Sequence, residues 1–111
     1  MTIGTTKTAI IIGGSMGGLF AGLHLLEAGW DVQVFERVDV PLSGRGAGIG
    51  THPELLSALT DVGIDIDAEL GVDVPGRVTF AQDGSALGKS DLQQLLTSWG
   101  RLYDVLRAHF P

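Results

Sequence analysis

No cysteine occurs among the 111 residues of this chain. That excludes disulfides and thiolate metal sites and points to the cytoplasm as compartment. Basic residues are scarce too: 7 Lys and Arg stand against 13 Asp and Glu, a formal net charge of −6. An acidic chain is poorly suited to nucleic acid or to an anionic membrane surface. Internal repeats and low-complexity linkers are missing. A convincing membrane span is missing as well. Residues 9–26 carry no formal charge and approach the lower limit for a span, roughly 17 residues. Gly14, Gly18 and Gly22 even stand at small-xxx-small spacing. That run nevertheless begins β-branched, changes character at Gly13-Gly14, contains His24, and leads through Glu27 to Asp31. A secretory signal would need a cleavage region that this stretch lacks.

What the chain has in excess is glycine, 17 residues against an average share of roughly 7%. The glycines gather in residues 13–22 and 44–50 without a collagen-like period, so they mark backbone requirements at two loops. The length suffices for one domain with a modest core. Residues 1–6 are expected to be a flexible leader and residues 7–111 one structural unit. Residues 7–12 predict a first strand whose apolar residues are continuous rather than alternating, the pattern of a parallel strand covered on both faces. Residues 17–28 predict a helix, with Leu19, Phe20, Leu23 and Leu26 on its apolar stripe and Gly29 at its end. Residues 31–36 predict a second strand closing on Glu36.

Beyond that the pattern weakens. Residues 39–50 are expected to be loop. A helix is predicted over 53–62, with Pro53 at its start and Leu55, Leu56 and Leu59 inward. Residues 64–74 look like acidic loop, 77–82 and 86–87 like a hairpin across Asp83-Gly84, and 88–98 are ambiguous. A third helix is predicted over 99–110 through Leu102, Val105, Leu106 and Phe110. The fold class is therefore α/β: a Rossmann-like βαβ unit with additional helices and a short β-hairpin. No third βα repeat follows, and the sequence stops directly after a helix that should return to a sheet. The expectation is an incomplete, N-terminal part of a larger domain.

The first glycine cluster carries the chemistry. Gly13-Gly14-Ser15-Met16-Gly17-Gly18 follows a strand and opens a helix, the context that makes a Gly-x-Gly-x-x-Gly pattern meaningful. Gly13 permits the tight turn and Gly18 close helix–strand contact, while the helix N-terminus offers N–H groups to a pyrophosphate. Ser15 stands at the middle glycine; it is small, and its hydroxyl can donate to a phosphate oxygen. Glu36, about 20 residues on, is placed to accept from ribose hydroxyls and would repel a 2′-phosphate. Arg37 can lie over the adenine or neutralise phosphate, or be a surface arginine. In the second cluster, Arg45 is the sole cation among Gly44, Gly46, Ala47, Gly48, Ile49 and Gly50, a stretch suited to lie against a flat or anionic ligand or to be a flexible loop.

Other residues are weaker candidates. His24, His52 and His109 show no metal-ligand spacing and are expected to be structural or surface residues. His52 and Glu54 are expected not to face one another. Asp61, Asp65, Asp67, Glu69 and Asp73 do not fit a calcium loop and are expected to form a solvated stretch. Trp99 and Tyr103, at helical spacing, are expected in the core. No catalytic or metal-binding residue is assigned.

Residues Ile11-Ile12-Gly13-Gly14-Ser15-Met16-Gly17-Gly18-Leu19, Val34-Phe35-Glu36-Arg37, and Gly46-Ala47-Gly48-Ile49 with Pro53-Glu54-Leu55 resemble the single-component FAD-dependent aromatic hydroxylases. Within that family the chain is similar to the 2,6-dihydroxypyridine 3-monooxygenase group, through Pro41-Leu42-Ser43-Gly44 and Thr97-Ser98-Trp99 as well. The resemblance covers most of residues 8–111. It implies FAD, with Gly13, Gly14, Ser15, Met16 and Gly18 at its ADP part, Glu36 at the ribose, and Arg37, Arg45 and Gly46, Ala47, Gly48 and Ile49 toward the rest. It also implies NAD(P)H, O2 and a small aromatic or hydroxypyridine substrate, and a homodimer as assembly. Two departures stand out: Ser15, and Trp99 where the wider family often has arginine. The later motifs of the family are not present, so these 111 residues alone are not expected to hydroxylate anything. Other readings stay open: an NAD(P)- or FAD-dependent oxidoreductase without hydroxylation, and a non-catalytic nucleotide-binding module.

Overall fold

The computed structural model describes residues 5–40, 42 and 46–111. Ten elements follow one another: β1 (Thr8–Ile12), α1 (Met16–Glu27), β2 (Asp31–Phe35), β3 (Gly48–Gly50), α2 (Pro53–Asp61), β4 (Val72–Val74), β5 (Arg77–Phe80), β6 (Ala86–Ser90), β7 (Gln94–Ser98) and α3 (Trp99–His109). The leader falls mostly on residues 1–4, outside the described residues.

The first three elements form the expected βαβ unit. β1 and β2 pair in parallel from Thr8↔Asp31 to Ile12↔Phe35, and α1 is the crossover. Small residues on α1 let it lie close to the pair. A Cβ on Gly18 would meet the Gly13 carbonyl oxygen at 1.9 Å and Ile11 Cγ2 at 3.3 Å. Leu19 and Leu23 are buried, whereas Phe20 and Leu26 pack at the edge of the core. Ala28 ends the helix and Gly29 follows at φ +90°.

The expectation that β1 is covered on both faces is corrected. Ile10 is 65% exposed, Ile12 82% and Phe35 53%, so α1 covers one face and the opposite face meets solvent. Two strands with one helix can hide only one side.

The remaining strands are antiparallel. β7 is the middle of a three-stranded sheet ordered β3-β7-β4. Gly48 pairs with Ser98 and Val72 with Leu96. Two segments expected as loop therefore contain the short strands β3 and β4, and the ambiguous stretch becomes β7 and the end of β6. β5 and β6 form the expected hairpin, with a register shift at Thr79/Phe80 and Gly84 at φ +89° in the turn.

The core gathers Leu59 and Val62 from the α2 end, Leu102, Tyr103 and Leu106 from α3, Leu95 from β7, and Leu19 and Leu23 from α1. Of the three residues expected inward on α2, Leu59 is fully buried and Leu55 and Leu56 are half-buried. No described helix is long and apolar enough to cross a membrane.

Candidate functional site

The turn between β1 and α1 is built by three backbone facts. Gly13 sits at φ +109°, a conformation that a side chain would strain. Its N–H donates to the Phe35 carbonyl at 2.7 Å, tying the turn to the end of β2. Gly18, one helical turn on, fits only because it lacks a Cβ. Ser15 is the N-cap residue of α1 in extended conformation, yet its side chain makes no cap bond. The first helical N–H groups and the Ser15 hydroxyl thus stand together at the positive end of the helix.

Glu36 closes the arrangement. Its Oε1 accepts from the Gly14 N–H at 3.0 Å and its Oε2 from the Val38 N–H at 2.8 Å. A carboxylate at the end of β2 is thereby held against the glycine turn by charge-assisted bonds. A Cβ on Gly14 would lie 3.1 Å from Glu36 Cβ, so that approach also depends on glycine.

These residues share a cleft of about 300 Å³, lined by Gly13, Ser15, Glu36, Arg37 and Trp99 among others. A neighbouring hollow of about 670 Å³ touches Gly14 and Glu36 from the other side. A further hollow of about 740 Å³ lies away from the glycine turn, between Ile64, Asp65, Asp67, Glu69 and the Arg101 face of α3. Its carboxylates would repel phosphate.

The predicted residues do not all converge. Gly13, Ser15, Glu36 and Arg37 line the cleft. Met16 begins α1 and packs its side chain on the core. Arg45 lies outside the described residues, as do Pro41, Ser43 and Gly44. Gly46 and Ala47 serve the start of α3: the Trp99 N–H donates to the Ala47 carbonyl at 2.9 Å, and a Cβ on Gly46 would strike Trp99 Cβ at 2.6 Å. Gly48 and Ile49 form β3, and Ile49 packs against the core. None of these four lines the cleft. Trp99, expected in the core, is half-buried and does line it. The Gly46 contact is the long-range signal that composition could not supply.

The histidines hold backbone. His24 Nε2 donates to the Ala58 carbonyl at 3.1 Å and His109 Nε2 to the Val62 carbonyl at 2.7 Å, both at the α2 end. A carbonyl can only accept, so each Nε2 carries the proton. The expectation that His52 and Glu54 stay apart is corrected: Nδ1 and Oε2 are 3.0 Å apart. His52 is the N-cap residue, outside the helix, and its ring folds over the first turn, where helix-surface spacing does not apply. The same Nδ1 lies 3.2 Å from the Leu55 N–H. A bare Nδ1 would accept from Leu55 and an Nδ1–H would donate to Glu54, so the two contacts call for different placements of the ring hydrogen. The Glu54 carboxyl is held below its ordinary value, first by its own backbone N–H and then by His52.

No family model matches the chain. The chain is 37% identical over 105 residues to 2,6-dihydroxypyridine 3-monooxygenase of Paenarthrobacter nicotinovorans, across 92% of this chain and 26% of that protein. The solved structure of 2,6-dihydroxypyridine-3-hydroxylase from Arthrobacter nicotinovorans superposes with a TM-score of 0.80 at 36% identity, over 96% of this chain and 27% of that one. The tetrameric form of 2-methyl-3-hydroxypyridine-5-carboxylic acid oxygenase matches with a TM-score of 0.83 at 27% identity, over 96% and 29%. The chain thus spans about a quarter of the length of these relatives.

Proposed function

We propose, from the chain's homology to the FAD-dependent aromatic hydroxylases over nearly its whole length, that it forms the part of such an enzyme that holds the ADP half of FAD. The observation that carries this reading is the cleft at the α1 N-terminus, where Gly13, Ser15, Glu36 and Arg37 line one space. The residues fit the group. Helix N–H groups and the Ser15 hydroxyl are donors at the positive end of α1, suited to a pyrophosphate. Glu36, fixed by Gly14 and Val38, offers carboxylate oxygens suited to ribose hydroxyls and disfavours a 2′-phosphate. Arg37 adds a positive charge on the same cleft. Met16, Gly14 and Gly18 act through the backbone, setting how closely a ligand can approach. Arg45, Gly46, Ala47, Gly48 and Ile49 are proposed for the side toward the flavin, Gly46 and Ala47 by bracing the start of α3 and Gly48 and Ile49 through the pairing of β3 with β7.

When bound, the flavin would supply electron transfer from NAD(P)H and use of O2 to hydroxylate an electron-rich aromatic or hydroxypyridine ring. This chain's own residues bind and orient; none is assigned to the chemistry. The parent enzyme is proposed to work in the cytoplasm, on a small aromatic substrate, as a homodimer. The test is direct. Purified chain that takes up FAD, or ADP as the flavin-free probe, toward one equivalent in equilibrium dialysis supports the reading. Retention of neither at millimolar ligand overturns it.

A further inference from the structure

The cleft has a wall that the glycine pattern does not account for. Trp99, the first residue of α3, lines it with Gly13, Ser15, Glu36 and Arg37. Three contacts fix this residue. Its indole stacks on Tyr103, with ring centres 5.2 Å apart and planes 9° from parallel. Its backbone N–H is held by the Ala47 carbonyl. Gly46 approaches so closely that a Cβ there would lie 2.6 Å from Trp99 Cβ and Cγ.

A tryptophan serving the core alone would be covered. Here Leu102, Tyr103 and Leu106 take the buried positions of α3, and Trp99 stays half-buried at the rim. An indole held this way costs little further ordering when a ligand arrives. It offers an aromatic surface to a sugar ring and one N–H donor to a phosphate oxygen. It also shields the bonds that Ser15 and the helix N–H groups would make from water, which strengthens them.

Building on the reading above, we propose that Trp99 is a further ligand-binding residue, its indole packing against the ribose–diphosphate portion of the bound dinucleotide. The chain has two tryptophans, so an isotope-labelled sample gives two indole N–H signals, and Trp30→Phe assigns them. Titration with ADP is expected to shift the Trp99 signal saturably, to leave Trp30 in place, and to produce proton–proton contacts between the indole and the ribose. Trp99→Phe keeps an aromatic ring over Tyr103 and is expected to weaken ADP about tenfold, with an unchanged circular dichroism spectrum. ADP retained in dialysis with an unmoved Trp99 signal and unchanged affinity in Trp99→Phe would overturn this inference and leave the dinucleotide reading standing. No retention of ADP at all would overturn both.

Discussion

Gly17 and Gly18 are neighbours on one helix, yet the structure assigns them opposite tolerances. A Cβ on Gly18 would strike the Gly13 carbonyl oxygen at 1.9 Å, a backbone atom that cannot step aside without opening the turn. A Cβ on Gly17 meets nothing within 4 Å. Gly18→Ala is therefore expected to destabilise the chain by about 3 kcal/mol or to prevent folding, as overpacking against a rigid neighbour does. Gly17→Ala is expected to stabilise by about 0.5–1 kcal/mol through helix propensity. Urea unfolding of the pair checks both. A second contrast separates binding from folding among the serines. Ser98 caps α3, accepting from the Arg101 N–H at 3.1 Å, and Ser98→Ala should cost about 1 kcal/mol. Ser15 caps nothing with its side chain. Ser15→Ala is expected to leave the unfolding midpoint within the error of the measurement while weakening ADP, and equal losses of stability in the two variants would contradict this assignment.

Elements whose signal is local were legible; elements that depend on distant partners were not. Ile10, Ile11, Ile12, the glycine turn, the Leu19 and Leu23 stripe and Val32 to Glu36 lie in continuous sequence, so the βαβ unit, which brings Gly13, Ser15 and Glu36 to one cleft, could be read directly. Gly48-Ile49-Gly50 could not be read as a strand, because its only cause is pairing with Leu96, Thr97 and Ser98 far along the chain. The same distance hid Trp99 from the cleft, since what holds it there is Gly46 and Ala47. The hairpin is an intermediate case, announced by Asp83-Gly84 and extended by ladder bonds that sequence does not display. Its turn also carries a pH dependence. The Asp83 carboxylate accepts from the Ser85 hydroxyl at 2.6 Å and the Ser85 N–H at 2.9 Å, and these bonds hold its pKa below the ordinary value, the hydroxyl first. A carboxyl lowered in the folded state favours folding above its unfolded pKa of about 3.9, and this is lost as pH falls through the lower folded value. The Ser85 amide signal is therefore expected to hold its position from neutral pH to about pH 4 and to move only below it. Movement centred above the ordinary aspartate value would contradict the turn as described.

At the scale of the whole molecule, shape and exposure point the same way. The radius of gyration is 18.1 Å and the longest extent 68 Å, where a compact chain of similar length has a radius of about 13 Å. The excess comes with uncovered apolar surface, including Ile10, Ile12 and Phe35 on the open face of the β1–β2 pair, the paired Val72 and Leu96 of β4 and β7, and Val78, Phe80 and Leu87 along the hairpin. A two-stranded ribbon without a covering layer is marginal in water, and apolar faces of this kind associate. The isolated chain is thus expected to bind an apolar dye such as ANS, to sediment above monomer mass at tens of micromolar, and to unfold over a broad denaturant range. Phe80→Thr with Leu87→Thr should lessen the association, because both side chains are mostly exposed, at 64% and 70%, and replacing them should shift stability by less than about 0.5 kcal/mol. The same double variant should leave ADP uptake unchanged, because the hairpin contributes no residue to the cleft beside Ser15. A sharp, dye-free unfolding transition from a strict monomer would mean that the chain hides these faces in solution and is more compact than 18.1 Å.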